Sequence, residues 1–231
     1  MVEPKVADGP REVVLGRSGL GKTISMSVFG QGEGGVLIIG GVHGDEPSGA
    51  GVAAELSDYI KARPQAIAGR PVAIITRANP DGLAKGRRTN ASGVDINRNF
   101  PASNYRATGA GRHNGGESAA SEPETAAIIK AVDTLNPRLI IALHAIGRGS
   151  HCNNYDGPGL AVARLMAKFN GYPVKATMGY PTPGSFGSWA GIDRKIAVIT
   201  LEMPADLSSE ECWKANRDAL LAAIAGPREE K

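Results

Sequence analysis

Three short segments carry side chains able to do chemistry, and each directly follows an apolar run. They are His43-Gly44-Asp45-Glu46 after Val36-Leu37-Ile38-Ile39, His144 after Leu139-Ile140-Ile141-Ala142-Leu143, and Glu202 after Ala197-Val198-Ile199-Thr200-Leu201. Two imidazoles and a carboxylate can fix a zinc ion while leaving one position open for water, and a further carboxylate can act as the base. The His-x-x-Glu spacing lets one tight turn offer both side chains to a single ion, so the third ligand has to come from a distant strand. Taken singly, a histidine or glutamate after a strand is most often structural or solvated. Here two of the chain's four histidines fall at predicted strand ends, which is where ligands gather in open α/β sheets. The combination implies a zinc-dependent hydrolase.

Between the first and last of these segments lie Asn79-Pro80-Asp81-Gly82, Arg88 and Val94-Asp95-Ile96-Asn97-Arg98-Asn99-Phe100. This stretch resembles the N-P-D-G and D-x-N-R-N-F motifs of the carboxypeptidase A-like zinc peptidases, and the resemblance runs in order from Gly40-Gly41-Val42-His43 to Leu201-Glu202. It implies that His43, Glu46 and His144 bind one zinc ion per chain and that Glu202 is the catalytic glutamate. It also implies that Arg88 polarises the scissile carbonyl and that Asn97 and Arg98 grip the terminal carboxylate of a small peptide. Tyr180 stands where the digestive members carry their mobile pocket tyrosine, and Gly187 and Ser188 fall at the specificity pocket. Asp95, His113, Glu117, Glu122 and Glu124 are assigned no role, and neither are His151 and Cys152.

A narrower resemblance rests on Leu15-Gly16-Arg17-Ser18, Ser121-Glu122-Pro123-Glu124-Thr125, the run from Gly184 to Gly191, and Thr200-Leu201-Glu202-Met203-Pro204. It points to the bacterial murein peptide amidases, compact cytoplasmic members that cut the γ-D-glutamyl to meso-diaminopimelate bond of recycled cell-wall peptides. The pocket expected near Gly187 and Ser188 is small and neutral: it leaves room for a long polar side chain and supplies no charge. The rival activities are those of a general metallocarboxypeptidase and of an N-acyl amino-acid deacylase of the succinylglutamate desuccinylase type. A carboxylate-binding module without catalysis is the rival from another class.

The elements that must hold these residues follow from the apolar pattern. β-rich runs appear near residues 12–15, 23–29, 35–41, 71–77, 138–144, 173–177 and 195–201, separated in many places by helical spacing such as Val52, Leu56 and Ile60. Near-continuous Val and Ile runs predict strands covered on both faces, hence a central, largely parallel α/β sheet between helix layers. The family resemblance adds that the sheet is mixed and about eight-stranded. Ser121 with Glu124, and Ser208 with Glu211, have the spacing of capping boxes before helices. Residues 80–120 and Gly147 to Gly159 read as long loops, a length that domains seldom keep without a task.

With 231 residues, 42% hydrophobic and 21% charged, the chain has ordinary globular composition and is expected to form one catalytic domain over 1–231 with a loose tail at 227–231. A net charge of +3 without an aromatic-interleaved basic stripe argues against a nucleic-acid partner. No run approaches a membrane span and no leader pattern opens the chain, so a cytoplasmic location is expected. Cys152 and Cys212 are expected in a loop and a helix, too few for a disulfide scaffold. The composition leaves the oligomeric state open.

Overall fold

The computed structural model describes residues 9–32, 34–147 and 149–226; the expected loose tail at 227–231 lies outside them. The strands are β1 (Arg11–Arg17), β2 (Thr23–Phe29), β3 (Val36–Ile39), β4 (Val72–Ile75), β5 (Leu139–Ile146), β6 (Cys152–Asp156), β7 (Val174–Lys175) and β8 (Ala197–Pro204). They form one mixed sheet in the order β1-β2-β4-β3-β5-β8-β6-β7. The centre, β4-β3-β5-β8, is parallel, and β1, β2 and β6 join antiparallel.

Strand periodicity divides the core in two. On one face Val36, Ile38, Ile141, Leu143, Ile199 and Leu201 pack under three helices, α1 (Pro47–Ala62), α4 (Leu160–Asn170) and α5 (Ser209–Ala225). On the other Leu37, Ile39, Ile140 and Val198 meet Ile128 and Val132 of α3 (Pro123–Leu135). These alternating side chains are almost wholly buried. Each removes about 1.5–3 kcal/mol of apolar exposure, so a strand slipped by one residue would turn its apolar set the wrong way. The second face carries fewer helices, and the remaining space is filled by the 80–120 region and by Gly187–Asp193. There Phe100 meets Phe186 edge-on at 5.1 Å and stacks on Trp189 at 5.4 Å between ring centroids.

Four expectations need correction. Gly147 to Gly159 is no simple loop, because it contains β6, which pairs with β8 from Cys152↔Glu202 to Asp156↔Val198. Its polar sequence lacks the apolar alternation by which strands are recognised, and side chains supply part of the hold. Asn153 donates to Asn170 Oδ1 at 3.1 Å and Asn154 to the Lys175 carbonyl at 3.0 Å. Cys152 therefore sits in a strand, while Cys212 lies in helix α5 as expected. His144 and Glu202 fall inside β5 and β8 and not at their ends, since those strands stay paired as far as Ile146 and Pro204.

The Ser208–Glu211 capping box is formed, but the Ser121–Glu124 box is not. Pro123 occupies the first helical position and makes Glu122 the N-cap. Glu124 is engaged elsewhere, accepting from Asn90 Nδ2 at 2.8 Å and from the Gly19 N–H at 3.1 Å.

The long 80–120 segment is tied down from within. It contains the short helix α2 (Pro80–Lys85) and the turn Ile96–Arg98. Asn99, fully buried, donates to the carbonyls of Gly115 and Ser118 at 2.7 and 2.9 Å and accepts the Glu122 N–H at 3.1 Å. Asn99→Ala should leave buried carbonyl and amide groups unpaired, lowering stability by about 1–3 kcal/mol. Denaturant unfolding checks this, and an unchanged midpoint would show that the segment is held elsewhere.

Candidate active site

The turn after β3 carries His43, and Glu46 precedes Pro47 at the start of α1. Gly44 between them lies so close to the Gly82 carbonyl that any β-carbon there would collide with it. This contact locks the His-x-x-Glu turn against α2. His144 reaches the same point from β5, and one ligand atom from each of His43, Glu46 and His144 lies within 4.8 Å of the others. His43 Nδ1 stands 2.8 Å from Glu46 Oε1 and 3.1 Å from His144 Nδ1, which is itself 2.8 Å from Glu46 Oε2.

Asp95 Oδ1 lies 3.0 Å from His43 Nε2 and, as an ionised carboxylate, accepts that N–H. In the neutral ring this leaves Nδ1 as the lone-pair atom facing the cluster. Two imidazole nitrogens and a carboxylate facing one another at hydrogen-bond distance can share one cation, and this donor set suits zinc. The electrostatics agree. Burial pushes His43 down, but the Glu46 and Asp95 carboxylates outweigh it and hold the imidazole up to about 9. Burial likewise acts to raise Glu46, yet the His43 and His144 imidazoles keep it well below the usual carboxylate range.

Asp95 also receives Arg88 Nε on Oδ2 at 2.9 Å and the Asn97 N–H on Oδ1 at 3.0 Å. Arg88 Nη1 donates to Glu46 Oε1 at 3.1 Å. Glu202 is the register partner of His144 on the neighbouring strand, so the two side chains leave the same face of the sheet one strand spacing apart. Burial, with the nearby Glu46 carboxylate adding to it, raises the Glu202 carboxyl above the ordinary glutamate range.

A cleft of ≈ 530 Å³ gathers His43, Glu46, His144, Glu202, Arg88, Asn97, Arg98, Tyr180 and Gly187 on its walls. Asn97 Oδ1 accepts the Phe186 N–H at 2.8 Å, which leaves the Asn97 amide hydrogens to face the cleft. Arg98 is buried and gives Nη1 to the Asn97 carbonyl at 2.6 Å, a small part of its five-donor capacity. Tyr180 is half exposed at the rim.

Ser188 departs from its expected place: it is not on the cleft wall but bonded to Ser185 and Asn104, both at 3.0 Å. Nor is the pocket neutral, because the Asp156 carboxylate lies beside Gly187 on the wall. Asp156 and Asn154 were hidden with β6. The signal that could have found them is the polar alternation Asn154, Asp156 opposite Thr200 and Val198. Arg112 and His113 also reach the rim, where His113 Nδ1 is 3.5 Å from Asp95 Oδ2 and Arg112 pairs with Asp45 at 3.2 Å. Glu122 and Glu124 take no part and hold Asn90 instead, at 2.7 and 2.8 Å.

Known proteins resemble this chain in sequence and fold. The sequence profile described as zinc carboxypeptidase matches residues 10–156. Murein peptide amidase A of Escherichia coli K12 is 33% identical over 191 residues, covering 76% of this chain and 73% of its own. That of Vibrio campbellii is 30% identical over 204 residues, covering 81% and 76%. The crystal structure of murein-tripeptide amidase from Escherichia coli O157 superposes with a TM-score of 0.75 at 28% identity, covering 99% of this chain and 98% of that one. Bovine thrombin-activatable fibrinolysis inhibitor shares the fold, with a TM-score of 0.79 at 17% identity over 94% and 88% of the two chains.

Asp95 orients His43 from behind, so Asp95→Asn should keep the fold and weaken zinc binding about 10–100-fold. Competition against a chromophoric chelator measures this, and wild-type affinity in the variant would remove Asp95 from that role.

Proposed function

The chain belongs to the zinc carboxypeptidase family, and from that premise we propose that it hydrolyses the γ-D-glutamyl to meso-diaminopimelate bond of murein peptides. The observation that carries the chemistry is the meeting of His43, Glu46 and His144 with Glu202 and two arginines in one cleft. The substrate is supported by the murein peptide amidases of two bacteria, similar over three quarters of the chain. On this reading residues 1–231 act as one catalytic domain.

His43, Glu46 and His144 would hold one zinc ion per chain, which when bound supplies a Lewis acid for the scissile carbonyl and for water. Glu202 takes the proton of the attacking water and returns it to the leaving amine. Burial suits it to both tasks, because a carboxylate of raised pKa is a better base and a readier carrier of the proton. Arg88, aimed by Asp95, stabilises the oxygen that becomes negative in the tetrahedral intermediate, where a fixed donor is worth a few kcal/mol. Asn97 and Arg98 hold the free carboxylate of the leaving residue and so select the bond to be cut. Tyr180 closes over that residue from the rim.

We place the reaction in the cytoplasm, where free thiols such as the buried Cys152 and Cys212 persist. Among the described residues no helix is long and apolar enough to cross a membrane. The expected partner is a small peptide, with no role for nucleic acid.

Metal analysis should find one zinc per chain, and His144→Ala should lose both zinc and hydrolysis. Retention of activity after exhaustive chelation would contradict the mechanism. Glu202→Gln should keep zinc but lose most turnover, with the loss in kcat more than in KM. In the wild type, Glu202 must be ionised to act, so activity falls as pH drops through its raised pKa. The acid limb of the rate profile should lie above the ordinary glutamate value of about 4.3. Kinetics on murein tripeptide, α-linked C-terminal peptides and N-acyl amino acids test the substrate, and faster cleavage of either of the latter two would overturn it.

A further inference from the structure

A second carboxylate on the cleft wall, besides Glu202, has no side-chain partner among the described residues. The carboxylate of Asp156, the last residue of β6, makes no hydrogen bond or ion pair with any described residue, and burial alone acts on it, raising it above the ordinary aspartate range. Its place is built around it. A β-carbon at Gly187 would run into Asp156 Oδ2, and one at Gly191 into the Asp156 β-carbon at 2.5 Å. Two glycines thus make the space that this carboxylate fills, although a desolvated charge without a counter-ion is a cost to the fold.

Position gives that cost a use. Along the β6–β8 ladder, Glu202, Thr200 and Val198 are paired with Cys152, Asn154 and Asp156. Thr200, Asn154 and Asp156 line the cleft below Glu202. Asp156 therefore lies four strand residues below the level of Glu202, about 13 Å at 3.3 Å per residue. The Phe186 N–H bonded to Asn97 sets Gly187 beside the carboxylate clamp. A residue clamped by Asn97 and Arg98 would have its side chain facing a channel lined by Asn154, Thr200 and Asp156.

We propose that Asp156 is a specificity-determining residue that receives the terminal ammonium of the leaving residue's side chain, so that the subsite selects a long side chain bearing an ammonium over one of equal length without it. The inference rests on the reading of Asn97 and Arg98 as the clamp and deepens it. Diaminopimelate carries such an ammonium and so does lysine, which makes the ammonium the selected group and leaves lysine an acceptable substrate.

The test compares L-Ala-γ-D-Glu tripeptides ending in meso-diaminopimelate, lysine or norleucine, together with benzoyl-glycyl-lysine and benzoyl-glycyl-norleucine. Wild-type kcat/KM should favour the ammonium-bearing residues roughly 100-fold, as expected when a buried polar group would otherwise stand unpaired. Asp156→Asn should bring lysine and norleucine to within a few-fold while keeping zinc content, and its melting temperature should not fall, because a desolvated charge has been removed. Binding of free lysine and norleucine to the zinc-loaded wild type, measured by calorimetry, should follow the same order. Equal treatment of lysine and norleucine by the wild type, or equal loss on all substrates in Asp156→Asn, overturns the proposal. Preference for benzoyl-glycyl-lysine without cleavage of any γ-linked tripeptide would sink the murein reading and leave Asp156 in its role.

Discussion

The parallel register of β5 with β8, which sets His144 opposite Glu202, is the constraint on which the site depends. Neighbouring strands lie about 4.8 Å apart and their side chains alternate, so this one pairing puts a candidate metal ligand and a candidate base side by side on the same face. A slip of one residue in either strand would send its functional side chain to the face covered by α1, α4 and α5. The aliphatic side chains buried on both faces prevent that slip, since it would expose Ile141, Leu143, Ile199 and Leu201 from one core. Core packing and catalytic geometry are here the same specification. The ladder extends the site as well, because β6 pairs with β8 and adds Asn154 and Asp156 to the wall on which Glu202 stands.

A second economy is electrostatic. Asp95, fully buried, touches His43, Arg88 and the Asn97 N–H. It therefore orients a candidate metal donor, aims the guanidinium proposed for the developing oxyanion, and caps the turn carrying the proposed carboxylate clamp. Hydrogen bonds in such a network strengthen one another in a low dielectric. Arg88 and His43 in turn keep Asp95 ionised, against the effect of burial. Damage to this one carboxylate should reach metal binding, transition-state stabilisation and substrate orientation together.

Much of this was legible in the residues. Continuous Val and Ile runs marked the buried strands, and residues at or just beyond such runs marked the cleft, because a sheet covered on both faces leaves its carboxyl ends as the open place for ligands. His43, Glu46 and His144 could be grouped from type and spacing, and the family resemblance supplied the order of the surrounding motifs. What was not legible depends on tertiary pairing. β6 has no apolar alternation and exists because β8 offers it an edge. Asp156 was invisible without β6, and the glycine at 187, read as an empty pocket floor, is small because a carboxylate from another strand fills the space. The α3 cap failed for a related reason, since Glu124 is more strongly engaged by Asn90 and Gly19, residues distant in sequence.

The central claim is that His43, Glu46 and His144 form one zinc site facing Glu202. Crystals of the zinc-loaded protein, measured on both sides of the zinc absorption edge, test it most directly. The account predicts one anomalous peak per chain, within about 2.0–2.2 Å of His43 Nδ1, His144 Nδ1 and a Glu46 carboxylate oxygen. A fully active preparation with no peak there, or with its zinc bound elsewhere, would contradict it.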